Sequence, residues 1–101
     1  MITVIIYNNE PGSSEKTIVS HHATTDRRVA IRRAIKRAFR PAKVGFHQED
    51  PSGNPDKGER IRGAVTRAAG QNAVGVIRRV SIETETKAEW NARKVLPFGM
   101  E

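Results

Sequence analysis

Cysteine is absent from the 101 residues, so the sequence provides no disulfide, no thiolate nucleophile and no cysteine-based zinc site. Long apolar runs are also missing: stretches such as Val4 to Ile6 are far too short to cross a membrane, and no signal-peptide pattern follows Met1. Aromatic residues make up only 5% of the chain and do not form the paired sheet aromatics of an RNA-recognition motif. These absences predict a cytoplasmic protein that does not associate with a membrane.

The common signatures of catalysis and cofactor binding are missing as well. No phosphate-binding loop, dinucleotide-binding glycine pattern or nucleophile elbow occurs. The stretch "DPSGNPDKGER" lacks the acid spacing of a calcium loop, and the three histidines lack a metal-ligating spacing. We therefore expect no cofactor, no metal and no catalytic residue. The enzymatic alternative is a small metal-independent nuclease or toxin that uses His21 or His22, with Tyr7 as a partner in acid–base chemistry.

Positive charge is what the sequence has in excess. The formal net charge is +7, and the excess lies between Arg27 and Arg79, whereas both ends of the chain mix acidic and basic residues. A charge of this size and sign favours association with polyanions, and its localisation predicts a binding surface.

The start of the chain predicts two antiparallel strands. Residues Ile2 to Tyr7 are apolar with little alternation, which is typical of a strand buried on both faces. A second strand is expected at Thr17 to His22, after the turn-rich stretch "NNEPGSSEK". The two should pair antiparallel, because this connection is too short for a parallel crossover.

The next stretch, "TTDRRVAIRRAIKRAFRP", predicts an amphipathic helix. Thr24 or Thr25 is expected to cap the helix, and Pro41 is expected to end it near Arg40. Apolar residues recur at helical spacing and should pack on the sheet: Ile31, Ala34, Ile35, Ala38 and Phe39. The opposite side is basic, with no acidic residue available for pairing: Arg33, Lys36, Arg37 and Arg40, flanked by Arg32.

A flexible loop is expected at about residues 42–57, where turn formers are dense. Within it, Val44 and Phe46 form a short strand or anchor the loop to the core. Asn54 is then expected to cap a second helix that begins at Pro55. The apolar positions of this helix would be Ile61, Ala64, Val65, Ala68 and Ala69.

The last third of the chain predicts a strand and a terminal element. The strand spans "AVGVIRRVSIETET", and the pair Arg78 and Arg79 marks a bulge or a rim position. Thr86 and Glu89 form a capping-box pattern. Residues 87–96 are therefore expected to be a helix that ends before Pro97, with a fourth strand as the alternative, followed by a tail at 97–101.

These elements predict one α+β domain over residues 1–101. An antiparallel sheet of three or four strands should carry one or two helices on one face. The helices and the later strand would then bring the basic residues to the surface.

The functional prediction is a non-catalytic nucleic-acid-binding protein that contacts phosphates through a basic helix face. The candidate binding residues are Arg32, Arg33, Lys36, Arg37, Arg40, Arg60, Arg62, Arg67, Arg78 and Arg79. The first alternative is a small inhibitor or regulator, of the phage antidefence type, whose basic face docks on an acidic protein surface in a complex that handles nucleic acid. The nuclease or toxin is the second alternative.

Overall fold

The computed structural model describes residues 1–9, 17–69 and 72–99 as a five-stranded antiparallel sheet with two α-helices. The elements, in chain order, are β1 (Ile2–Asn8), β2 (Ile18–His22), α1 (Arg27–Ala38), β3 (Val44–Gln48), a single-turn 3-10 helix (Pro55–Lys57), β4 (Ile61–Ala69), β5 (Asn72–Thr86) and α2 (Lys87–Gly99). The predicted α+β class is confirmed, and the strand count is five where three or four were expected.

The strands lie in the order β2-β1-β5-β4-β3, and every neighbouring pair is antiparallel. The predicted pairing of the first two strands is confirmed, with Ile2 opposite His22 and Ile6 opposite Ile18. β5 is the central strand because it pairs with β1 on one side and with β4 on the other.

The main core lies between one face of the sheet and α1. It contains apolar residues from the helix and from four strands: Ile2, Val4, Ile6, Ala30, Ile31, Ala34, Ile35, Val44, Ile61, Val65, Val80 and Ile82. β1 is buried on both faces as predicted, since Thr3 and Ile5, which alternate with the core positions, are buried as well.

The second helix packs on the opposite face of the sheet, so the expectation that all helices share one face is wrong. Trp90 of α2 contacts the ring of His21, and Arg93 pairs with Glu85. Both partners lie in the row of Thr3, on the face opposite to α1. The capping box is confirmed, because the Thr86 N–H donates to Glu89 Oε1 at 2.8 Å and the Glu89 N–H donates to Thr86 Oγ1 at 3.2 Å. α2 continues to Gly99, since Pro97 falls in its last turn, where the missing N–H removes a single helical hydrogen bond.

The helix predicted around residues 61–69 is wrong: these residues form β4. Ile61 and Val65 are buried towards α1, and Ala64 is buried on the other face, so the apolar set that fits a helical period also fits a strand with two covered faces. At the predicted start of this helix, the structure has only a three-residue 3-10 turn, which Asn54 caps as predicted.

The loop predicted at 42–57 contains β3, and residues 49–60, which follow that strand, lack a strand or an α-helix. Asn54, Asp50 and the Gln48 side chain hold this loop through hydrogen bonds with its own backbone. A bulge is present near Arg78 as expected: Val65 lies opposite Arg78, but Thr66 lies opposite Val76, which leaves Ile77 without a counterpart.

Candidate nucleic-acid interface

The orientation of α1 is fixed by its cap and by its apolar stripe. Asp26, not Thr24 or Thr25, caps the helix: its Oδ1 accepts from the N–H groups of Arg28 and Val29, at 2.9 and 3.3 Å. A carboxylate at this end also interacts favourably with the helix dipole, an advantage that threonine lacks. Ala30, Ile31, Ala34 and Ile35 are buried against the sheet, so the opposite side of the helix faces solvent.

The solvent-facing side forms a surface that we call the basic helix face: Arg32, Arg33, Lys36, Arg37 and Arg40. All five side chains are exposed. Within the described part of the chain, none of them forms an ion pair with a carboxylate. Lys36 and Arg37 lie in the last turn, where the helix dipole favours positive charge and offsets part of their mutual repulsion. The helix itself ends at Ala38, so Arg40 belongs to the turn that follows it.

The two arginines that begin α1 lie outside this face and pair with acidic residues. Arg27 pairs with Glu89 and Arg28 pairs with Asp56, each at 3.0 Å. These two contacts neutralise the first turn of α1, so the uncompensated charge is confined to the part of the helix beyond it. The sequence pattern alone did not separate Arg27 and Arg28 from the later arginines, because their acidic partners are distant in the chain.

Arg67 and Arg78 extend the basic helix face at the C-terminal end of α1. The Arg78 guanidinium lies 5.8 Å from the centre of the Phe39 ring, next to the helix end. Arg67 is exposed and lies opposite Val44, the first residue after the α1–β3 connection. Lys43, which sequence reasoning missed, precedes Val44 and is exposed too. The signal for Lys43 was its position in the acid-free stretch that begins at Arg27.

The other predicted binding residues lie elsewhere. Arg60 stacks 4.1 Å above the Tyr7 ring and pairs with Glu83 at 3.6 Å. Further along the same sheet face, opposite α1, two more arginines meet carboxylates: Arg62 with Asp50 at 4.0 Å, and Arg79 with Glu49 at 3.4 Å. The structure therefore does not bring Arg60, Arg62 and Arg79 together with the basic helix face.

The histidines are separated from one another and from Tyr7. His22 is buried on the α1 side, and its Nε2 lies 2.8 Å from Ser20 Oγ. His21 is on the other side, with Nδ1 2.8 Å from Thr3 Oγ1. Thr3 and Tyr7 are four positions apart on β1, about 13 Å along a strand, so neither histidine is placed to share a reaction centre with Tyr7. Among the described residues, no group of three potential ligands is arranged to hold a metal ion.

The electrostatic effect of the basic helix face reaches the core beneath it. Burial lowers the pKa of His22, and the positive charges of Arg37 and Arg33 lower it further. Arg37 and Arg33 therefore lie close enough to the sheet edge at His22 to act on its ring.

No protein-family model, curated protein or solved structure matches this chain. Neither helix in the described part of the chain has the length and apolar character needed to span a membrane.

Proposed function

We propose that the protein binds nucleic acid without catalysis, through phosphate contacts made by the basic helix face. The observation that carries this proposal is the contrast between two sets of arginines. Arg60, Arg62 and Arg79 are compensated by nearby carboxylates, whereas the five cations of the basic helix face are exposed and have no acidic partner among the described residues. Such a cluster opposes folding by repulsion between like charges, and phosphates of a ligand would remove that repulsion.

The residue types suit the phosphate backbone better than they suit bases. Four of the five cations are arginine, whose planar fork forms two parallel hydrogen bonds to phosphate oxygens. The face contains no Asn or Gln for base-edge contacts and no aromatic side chain for stacking. We therefore expect similar affinity for duplexes of different sequence.

The test compares two variants of equal net charge. In the helix variant, Arg33, Lys36, Arg37 and Arg40 are replaced by Gln; in the charge-matched control, Lys57, Arg60, Arg62 and Arg79 are replaced by Gln. Binding to random duplex DNA and RNA is measured by fluorescence anisotropy across a salt series. Four phosphate contacts predict a log–log salt slope steeper for the parent than for the helix variant by about 3.6 on DNA.

The control should keep most of the parent's affinity and slope, because its substitutions lie outside the basic helix face. Equal losses in both variants would mean that net charge alone attracts the nucleic acid. If the folded helix variant retains the affinity and slope of the parent, the basic helix face is not the binding surface. Weak nucleic-acid binding by the parent, with a protein partner lost only in the helix variant, would favour docking on an acidic protein.

A further inference from the structure

The strand β2 forms one edge of the sheet, and its outer side has no strand partner within the described residues. An edge strand directs alternate N–H and C=O groups outward, and native proteins protect such edges with Lys, Pro or a bulge. β2 has the sequence IVSHH, which contains none of these residues, and its register with β1 is continuous. The edge is therefore competent to accept another strand.

A groove of about 380 Å³ runs between this edge and α1. Its lining combines apolar side chains with one cation: Ile18, Val19, Ser20, His21, Ala34, Arg37 and Ala38. Ile18 and Val19 are 38% and 44% exposed, which is high for large aliphatic residues in a strand. Ile18 lies on the α1 side of the sheet and Val19 on the other side, so an extended peptide along β2 would contact Ile18 with the side chains of one face and Val19 with those of the other.

The positive charge around the groove favours an acidic partner over a second copy of this chain. Arg37 lines the groove and Arg33 lies one turn earlier on α1, so the groove is positively charged on its α1 side. A second copy of this chain fits poorly, because pairing two β2 edges antiparallel would place two α1 helices and their arginines on the same side of the junction. An acidic strand would meet complementary charge.

We propose that β2 and α1 form a docking groove for an extended acidic segment of a partner protein. The segment adds a sixth strand beside β2, and its backbone pairs with the outer edge of β2. Its apolar side chains cover Val19 on the sheet face opposite α1, and its carboxylates lie beside Ile18 on the other face, towards Arg37 and Arg33. This inference does not rest on the proposed function, since strand pairing requires only the sheet edge, although Arg33 and Arg37 belong to both surfaces.

The experiment uses the full chain without nucleic acid. The probe is an end-capped, fluorescein-labelled peptide of alternating Glu and Val, long enough to span the five residues of β2. Three comparison peptides are used: one with Lys in place of Glu, one with the same side chains but alternate backbone N-methyl groups, and an all-Glu peptide of the same length. We expect saturable binding of the probe and affinities weaker by roughly tenfold or more for all three comparison peptides.

Two protein variants locate the site. Ile18→Glu places a carboxylate in the groove beside Arg37 and should weaken probe binding by roughly tenfold or more. Ile77→Glu makes the same change at a residue of similar exposure, 36%, on β5, and should leave the affinity within about twofold. Circular dichroism is used to check that both variants are folded. If Ile18→Glu does not fold, the N-methylated peptide still tests strand pairing with the unaltered protein.

Amide hydrogen exchange shows which backbone N–H groups the probe protects, and we expect slower exchange at residues 18–22. Equal binding of the N-methylated peptide would overturn the proposal, since strand pairing requires the peptide N–H groups. Equal binding by Ile18→Glu would place the site elsewhere. A dimer of the parent that is lost in Ile18→Glu would assign the edge to a second copy, and protection of 18–22 by duplex DNA but not by the probe would assign it to nucleic acid.

Discussion

Gly63 lies where two strands approach more closely than any side chain allows. A Cβ atom at this position would lie 2.2 Å from the His47 carbonyl oxygen and 2.6 Å from Phe46 Cζ. From the sequence alone, a glycine inside the predicted second helix only weakens that helix, because the contact that requires it comes from β3, some 16 residues earlier in the chain. Close backbone approach across strands has no local sequence signal apart from the glycine itself.

We expect Gly63→Ala to destabilise the protein by about 3 kcal/mol, since β3 must move away from β4 to admit the methyl group. Gly45→Ala is the matched control: Gly45 lies on the neighbouring strand, and a Cβ there meets nothing within 4 Å. Urea unfolding of both variants measures the difference. Similar free energies of unfolding for Gly63→Ala and Gly45→Ala would contradict the close approach.

His22 makes stability depend on pH. Because burial and then the charges of Arg37 and Arg33 lower its folded pKa below the ordinary value of 6.5, the folded state binds fewer protons than the unfolded state in the range between the two pKa values. The contribution of the neutral ring is thus fully present above about pH 6.5 and is lost as the pH falls towards the folded pKa.

Replacing His22 by Gln should remove this pH dependence. We expect the free energy of unfolding to fall less between about pH 7.5 and about pH 5 in His22→Gln than in the parent. His47→Gln, at an exposed position on β3, serves as the control and should follow the parent. An unaltered pH profile in His22→Gln would show that the imidazole is not held neutral by its surroundings.

At the scale of elements, the sequence predicts those helices and strand pairs that depend on residues close together in the chain. The apolar stripe of α1, the capping box of α2 and the pairing of β1 with β2 all follow from spacing or from a short connection. The residues of β4 predict a helix because their apolar spacing fits either period, and the deciding interaction, the pairing of β4 with β5 and β3, is not local.

The candidate site also has a part that the sequence predicts and a part that depends on distant contacts. The basic helix face was predictable because all its members lie within nine residues, in an acid-free stretch. The pairing of Arg60 with Glu83 and of Arg79 with Glu49 depends on strand register, so the sequence did not distinguish compensated arginines from uncompensated ones. Register is fixed by the whole sheet, which no single stretch encodes.

α1 provides a prediction about packing. Ile35 is 1% exposed at the centre of the helix, and Ile35→Ala should cost about 3 kcal/mol. Phe39, expected to be buried with it, is only half-buried at the C-cap, so Phe39→Ala should cost less, about 1–2 kcal/mol. Thermal or urea unfolding ranks the two variants, and a larger loss for Phe39→Ala would show that the ring packs more deeply.

At the scale of the whole molecule, the net charge of +7 and the uncompensated cations of α1 act against folding. Salt screens exposed charges over about 8 Å at physiological ionic strength, so added salt should stabilise the protein. The four Gln substitutions of the helix variant should raise the unfolding free energy at low salt by about 1 kcal/mol, because three repulsive pairs at helical spacing within α1 (Arg32/Lys36, Arg33/Lys36 and Arg33/Arg37) are removed.

The charge-matched control variant should behave oppositely. It loses three ion pairs, which are worth little individually at exposed positions, and should be slightly less stable than the parent. Unfolding in urea at two salt concentrations compares all three proteins. A helix variant less stable than the parent would mean that the exposed cations stabilise the folded state. The expectation that these cations lower stability in the absence of a ligand would then be wrong.

The central position of β5 also orders events during translation. β1 and β2 leave the ribosome first and β3 and β4 follow, yet in the described sheet neither β1 nor β2 is a neighbour of β3 or β4, so the two pairs are joined only after β5 has been synthesised. Outside the ribosome, the basic residues of α1 and the two strand pairs therefore remain without the central strand until Thr86 has emerged. The complete sheet then forms cooperatively.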